Sequence, residues 1–500
     1  MRNSRDSIHG PGNVAAFRKH RPPTEVTDNR SQSHAMHGCS AKGHAIDPLI
    51  LRESDIRGIV GKTLSAADAR AIGRAFGTIV KEQGGSRVCV CNDGRLSSPE
   101  LEAALVEGLI AGGTVALRVG RGPTPMLYYA VHGLDTDGGI MITGSHNPSE
   151  YNGFKMMLGK KSFFGEDIKR LGSIAATGMF VSGRGIVFDE TLMDDYVEQL
   201  ADAWDGEAGL SVAWDTGNGA SGEVVRRLTQ RLPGRHILIN NVIDGTFPAH
   251  HPDPTIPENL EQLQHTVKEN GCDLGIAFDG DGDRIGVVDG KGRILWGDQL
   301  MMLFAEDVLR DLPGATIIAD VKASQTLFDH IAAQGGNPVM WRTGHSLIKT
   351  KMAETGAPLA GEMSGHIFFA DRYFGFDDAH YAAVRLLGIL DRSTFDLSSL
   401  RDAMPQAVNR PELRFDCADD RKFDVIEEVR ERLMVGGADI NAIDGVRVNT
   451  GDGWWLLRAS NTQAVLVARC ESNSEEGLSR LKGALVEQLH ESGVEPPEDF

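Results

Sequence analysis

Three aspartates separated by single glycines, Asp279-Gly280-Asp281-Gly282-Asp283, place three carboxylates within reach of one ion, because glycine supplies the backbone angles that a tight fold round a cation needs. Hard oxygen donors without histidine or cysteine favour Mg²⁺ and leave open positions for a phosphate oxygen. Two commoner motifs fail here. A calcium hand would need glycine where Arg284 stands and glutamate at the twelfth position, which is Gly290. A dinucleotide loop would need its third glycine one place before Gly286.

The second stretch with chemical content is Thr143-Gly144-Ser145-His146-Asn147-Pro148, which follows the apolar run Gly139-Ile140-Met141-Ile142. A buried strand running into Gly, Ser, Asn and Pro predicts a hydroxyl, Ser145, held on a tight turn. Neighbouring Ser and His on a turn rarely face the same way, and the G-x-S-x-G elbow is absent, so a hydrolase pair is not indicated. A hydroxyl near a tricarboxylate Mg²⁺ site suits phosphoryl transfer, where catalysis is positioning and charge neutralisation. Gly361-Glu362-Met363-Ser364-Gly365-His366 offers two acceptor oxygens and a hydroxyl, a set suited to vicinal sugar hydroxyls, with His366 either polar contact or structural imidazole. Arg458-Ala459-Ser460-Asn461-Thr462 gathers a guanidinium and short donors within five residues, which matches a phosphate dianion. Each stretch alone is compatible with an ordinary polar turn; together they describe one reaction.

The elements that must position these loops follow from periodicity. Helical spacing over 66–82 and 101–111 alternates with strands at 88–90, 114–119 and 140–143. A second unit has strands at 210–214, 237–243 and 274–278 and a helix ending near 231; a third has a helix at 299–309 and strands at 316–320, 339–341 and 358–360. The last segment has strands at 413–415, 446–448, 454–457 and 464–469 with two flanking helices. Strands alternating with helices predict parallel α/β sheets with function at the strand carboxyl ends, where Ser145 and Asp279 both fall. The fold class expected is α/β: three similar α/β domains, at 48–191, 192–293 and 294–405, plus a smaller α+β domain at 406–500. Gly61-Lys62-Thr63 resembles the end of a phosphate loop, but the first glycine of that pattern would fall at Ile56.

Five hundred residues exceed one hydrophobic core, and 41% hydrophobic with 24% charged residues are globular values. The absence of a long apolar run predicts no membrane span, and the net charge of -19 argues against a nucleic-acid partner. Residues 1–47 hold 7 Lys and Arg against 4 Asp and Glu and are rich in Ser, Gly, Asn and Pro, so a disordered extension is expected there, with a transit peptide as the alternative. The six cysteines contain no CxxC pair and read as reduced thiols of a cytoplasmic protein.

With T-G-S-H-N-P, D-G-D-G-D-R, G-E-M-S-G-H and R-x-S-N-T in that order, the chain resembles the α-D-phosphohexomutase family over about 49–500, and its bacterial phosphomannomutase/phosphoglucomutase branch most closely. The resemblance implies that Ser145 is a phosphoserine within the ligand set of a Mg²⁺ held by Asp279, Asp281 and Asp283. It implies that Glu362 and Ser364 hold the sugar and that Arg458, Ser460, Asn461 and Thr462 hold the phosphate that is not reacting. It also places Arg57, His146, Lys155, Arg284, Lys322 and His345 in the site, sets four domains round a central cleft with the first three of one mixed-sheet α/β topology, and makes the fourth a mobile lid; His366 is a candidate for the sugar-binding side from its motif alone. The activity implied is interconversion of mannose (and glucose) 1-phosphate and 6-phosphate through a hexose 1,6-bisphosphate, which also serves as activator. Sugar phosphates are then the partners and a monomer or weak dimer the expected state; a phosphoglucosamine mutase and a phosphoserine-dependent sugar phosphatase are the alternatives. Two residues depart from the family pattern: Ser54 stands where Tyr usually precedes Asp-Ile-Arg-Gly, and Arg121-Gly122 replaces an apolar pair before Pro123. Met363, where the glucosamine branch tends to carry Gln, favours mannose and glucose.

Overall fold

The computed structural model describes residues 42–409, 412–460 and 464–496. Among the described residues, four sheets follow one another along the chain. The first has seven strands whose inner members Arg87–Asn92, Val115–Arg121 and Gly138–Ile142 are parallel, while Tyr151–Leu158 and Ile56–Ile59 join antiparallel beyond Gly138–Ile142. The second and third repeat the scheme. Leu210–Asp215, Gly234–Ile239 and Leu274–Phe278 are parallel with Ile285–Asp289 antiparallel beside them, and Thr316–Asp320, Asn337–Trp341 and Leu359–Gly361 are parallel with Ile367–Phe369 antiparallel. The fourth sheet is antiparallel throughout, built on Val446–Thr450, Gly453–Ala459 and Val465–Ser472, and flanked by the helices Lys422–Val435 and Glu475–Glu491.

Local signals account for the helices. Ser65 and Asp68 form a reciprocal cap at the start of Ala66–Glu82, satisfying two orphan amides. That helix lies against Ser98–Ala111 at backbone distance: a Cβ on Gly73 would stand 2.2 Å from Leu105 O, so only glycine permits the approach. The core is shared unequally. One apolar cluster runs without a break through the first three sheets, from Cys89 and Leu117 through Trp214 and Phe278 to Ile317 and Phe369. The fourth sheet has its own cluster, centred on Trp455 and Leu457.

Two expectations change. The strand predicted at 237–243 is Gly234–Ile239: Asn240 adopts φ 52° and ends it, and Val242 is exposed. The expected disordered segment 1–47 is not disordered at its end, since Ile46 is buried, His44 N donates to Ala175 O at 2.7 Å, and His44 Nε2 pairs with Asp68 at 2.7 Å. The apolar side chain of Ile46 is what the compositional argument overlooked. Residues 1–41 lie outside the described residues. The five cysteines described carry free thiols, and no helix among the described residues is long and apolar enough to cross a membrane.

Candidate active site

The fully buried strand Gly138–Ile142 delivers the serine turn. Ser145 has φ 48°, a left-handed conformation that costs a non-glycine residue of order 1–3 kcal/mol and persists only where the surroundings impose it. They do. Thr143 Oγ1 accepts from Ser145 N at 2.8 Å, Asp93 accepts from Gly144 N at 3.2 Å, and the buried Arg95 guanidinium donates to the carbonyls of Ser145, Asn147, Pro148 and Tyr151. Arg57 adds a bond to Gly144 O at 2.7 Å and is itself held by Asp55.

Opposite this turn, the strand Leu274–Phe278 ends in the aspartate loop, and Ser145 Oγ donates to Asp279 Oδ2 at 3.0 Å. Gly280 packs so closely that a Cβ there would lie 2.4 Å from Ser145 O. Asp279, Asp281 and Asp283 are wholly buried, with one oxygen of each within 4.8 Å of the others. Lys155 donates to Asp281 at 2.8 Å and to Asp283, and burial, which disfavours its charge, is outweighed by Asp281, Asp283 and Asp279, so it stays protonated. Burial first, then repulsion from Asp281 and Asp283, pushes Asp279 far above the usual carboxylate range. Asp281 Oδ1 and Asp283 Oδ1 are buried with no hydrogen-bond partner among the described residues. Crowded, desolvated carboxylates with free oxygens fit a divalent cation.

Two other clusters fit a cation less well. In Asp283–His366–Asp377, the Nε2 of His366 accepts from Arg284 Nε at 3.0 Å, which puts the proton on Nδ1, the atom that would have to ligate. In His146–His251–Asp253, His146 Nδ1 is engaged by Asp253 at 2.7 Å. Burial, with the Arg284 guanidinium next, drives the His146 pKa down to about 4, so that ring is neutral at physiological pH.

One cleft gathers side chains from all four sheets. Ser145, His146, Lys155, Arg57, Arg284, His345, Lys322, Glu362, Ser364, His366, Arg458 and Ser460 all line it, with the aspartates beneath. Glu362 accepts from Gly344 N and from Ser364 Oγ at 3.3 Å. Lys322 donates to Glu412 at 2.9 Å, and Arg458 Nε to Asp444 at 3.1 Å. Asn461 and Thr462 lie outside the described residues. Ser54 lines the cleft, so that departure faces the substrate space, whereas Arg121 is exposed at the end of its strand.

Models of four consecutive domains, phosphoglucomutase/phosphomannomutase alpha/beta/alpha domains I, II and III and the C-terminal domain, match residues 48–180, 194–292, 296–408 and 412–488. The chain belongs to the phosphoglucomutase/phosphomannomutase family. A phosphomannomutase/phosphoglucomutase of Pseudomonas aeruginosa is 46% identical over 450 residues, 90% of this chain and 97% of that protein. A phosphoglucomutase of Neisseria gonorrhoeae is 43% identical over 437 residues, 87% of this chain and 95% of that one. The crystal structure of a phosphoglucomutase/phosphomannomutase family protein from Burkholderia thailandensis superposes with a TM-score of 0.85 at 43% identity, covering 90% of this chain and 99% of that one. Within this family frame, sequence reasoning had not singled out Arg95, Asp253, Glu412 or Asp444, each of which holds a site residue without carrying a motif of its own. Asp93-Gly94-Arg95 at the end of a predicted strand was the available signal for the first.

Proposed function

We propose that this chain interconverts the 1-phosphates and 6-phosphates of mannose and glucose, with Ser145 as the phosphoryl carrier and hexose 1,6-bisphosphate as intermediate and activator. The observation that carries the reading is the serine hydroxyl 3.0 Å from one of three buried carboxylates, at the floor of a cleft walled by all four sheets. Asp279, Asp281, Asp283 and Ser145 would hold Mg²⁺, which supplies charge neutralisation for the transferring phosphoryl group. Lys155 balances the aspartates, and Arg57 and Arg284 flank the serine turn with fixed positive charge.

Glu362 and Ser364 bind O3 and O4, and Lys322 adds a further contact to the sugar. Mannose and glucose differ only at C2, so this pair accepts both, and Met363 agrees with that choice. Arg458, Ser460, Asn461 and Thr462 bind the distal phosphate, and the bisphosphate turns end for end between the two transfers. His345 lines the cleft, and desolvation, with the neighbouring Lys349 charge next, lowers its pKa and leaves the ring neutral, with a lone pair that can take the hydroxyl proton. Free, mostly buried thiols support a cytoplasmic location, and small sugar phosphates are the partners, with the chain a monomer or weak dimer.

A coupled assay with mannose 1-phosphate, glucose 1-phosphate and glucosamine 1-phosphate, with inorganic phosphate measured in parallel, tests this. Turnover of the first two without phosphate release is expected. Phosphate release, or turnover of the amino sugar alone, overturns the reading.

A further inference from the structure

Behind the cleft, the loop after Ile367–Phe369 carries two consecutive aspartates with different tasks. Asp378 caps the helix Ala379–Arg392 by accepting from His380 N and Tyr381 N. Asp377 turns the other way, wholly buried, toward the cleft. Its Oδ1 accepts from Lys349 Nζ at 2.9 Å, and its Oδ2 lies 3.1 Å from His366 Nδ1 and 3.8 Å from His345 Nδ1. Lys349 and His345 are four residues apart on the helix His345–Thr355, so both face Asp377. The Lys349 ammonium also sits 4.2 Å from the centre of the Tyr128 ring. Neither Asp377 nor Lys349 lines the cleft.

The chain continues forward. His366 Nε2 accepts from Arg284 Nε, which requires a lone pair there and a proton on Nδ1, the atom that lies 3.1 Å from Asp377 Oδ2 and 3.6 Å from Asp283 Oδ1. Arg284 needs such a hold. It is half-buried beside Asp253, Asp279, Asp283 and Glu362, and a guanidinium free to choose would swing toward whichever carboxylate is nearest. Anchoring Nε on a neutral imidazole fixes the plane of the group and leaves its other nitrogens for the cleft.

We propose that Asp377 and Lys349 are positioning residues of the phosphoryl-transfer site: with His366 they form a buried chain that sets the histidine tautomer and, through it, the orientation of Arg284. Asp377 supplies the acceptor that selects the Nδ1–H tautomer, and Lys349 supplies the charge that allows a carboxylate to be buried there. The turnover readout below rests on the mutase reading; the tautomer readout does not.

The test uses the full chain. In wild type, NMR of ¹⁵N-histidine-labelled protein, with His366→Gln for assignment, is expected to show His366 protonated on Nδ1. Asp377→Asn presents an amide donor either to Lys349 or to His366, so the tautomer should become mixed. Single-turnover transfer from phosphorylated Ser145 to glucose 1-phosphate should slow about 10–100-fold, the usual cost of losing an outer hydrogen-bond partner. The Kd for glucose 1-phosphate should change less than about threefold, since neither residue touches the cleft. Adding Lys349→Met lets the asparagine turn its oxygen to His366, so the double variant should regain about tenfold over Asp377→Asn alone, a coupling typical of groups in one buried network.

His366 protonated on Nε2 in wild type, or a folded Asp377→Asn variant transferring at the wild-type rate, overturns the proposal. Should Asp377→Asn fail to fold, Lys349→Met alone must show slower transfer at unchanged Kd, and a wild-type rate there counts against it. Absence of transfer in wild type would fail the mutase reading and leave the tautomer result standing.

Discussion

At the scale of single residues, the cleft is a problem in compensating charge. Three carboxylates are buried together, and Lys155 is the ammonium in direct contact with two of them. Replacing it with methionine leaves like charges buried together, which in metal-free protein should cost about 3–5 kcal/mol, the range for breaking a buried ion pair. The deficit should shrink when a divalent cation takes over the charge. Thermal unfolding of Lys155→Met and wild type, in chelator and in excess Mg²⁺, is expected to show a large gap in the first condition and less than half of it in the second; an unchanged gap would mean that the aspartates are not the cation site. Ser145 behaves differently because its hydroxyl makes one bond, to Asp279. Ser145→Ala should keep the wild-type unfolding midpoint within a few degrees, since one net hydrogen bond is worth about 1 kcal/mol, while turnover is lost. Wild-type-like turnover would remove Ser145 from the mechanism.

At the scale of elements, two strand ends face each other with no room between their turns. Gly280→Ala places a methyl group 2.4 Å from Ser145 O, where the neighbour is backbone and cannot rotate away. Separating the turns should cut kcat at least about tenfold, because a misplacement of 1 Å costs a preorganised site heavily; an unchanged kcat in the assay would show that this contact does not set the reaction geometry. The strands delivering these turns were legible because both are continuous apolar runs with a glycine two residues past the end, Gly144 and Gly280, the pattern of a parallel strand buried on both faces. The neighbouring strand Tyr151–Leu158 was not. Its sequence contains Asn152, Gly153 and Lys155, all buried, and polar residues at buried positions erase the periodicity that marks a strand. Each has its reason in three dimensions only: Asn152 donates to the hydroxyls of Ser97 and Ser98, a Cβ on Gly153 would lie 1.9 Å from Ile56 O, and Lys155 serves the aspartates. The same holds for the partners of the motifs. Glu412 meets Lys322 from 90 residues away and Asp444 meets Arg458 across the strands Val446–Thr450 and Gly453–Ala459, and nothing in their flanking residues distinguishes them from solvated acids.

At the scale of the whole molecule, the apolar core decides which parts move together. The first three sheets share one continuous cluster, so the serine turn, the aspartate loop and the Glu362 loop are fixed on a common body. The fourth sheet meets that body through a seam that is mostly polar. Val321 packs on Trp454 and Leu456, Arg447 donates to Val321 O and Ala323 O, and Glu471 accepts from Ser324 and Gln325. Arg458 and Ser460 therefore belong to a part with its own core, which is the physical basis for expecting it to open and close while the sugar loop stays put. With the sugar assigned to Glu362 and the non-reacting phosphate to Arg458, as proposed above, loss of a contact on each part should then fail differently. Glu362→Gln keeps one acceptor oxygen and turns the other into a donor, so the hold on both hydroxyls is weakened in either substrate orientation, by about 1–3 kcal/mol. Arg458→Ala removes the hold on whichever phosphate is not reacting, and the intermediate, which must let go of both ends to turn round, is then free to leave. Turnover of Arg458→Ala should become markedly more dependent on added glucose 1,6-bisphosphate, because each escape strands Ser145 without its phosphoryl group, while Glu362→Gln should respond to it no more than wild type does. Equal responses of the two variants, measured as kcat against bisphosphate concentration at saturating glucose 1-phosphate, would show that sugar and phosphate are not held by separate parts of the cleft.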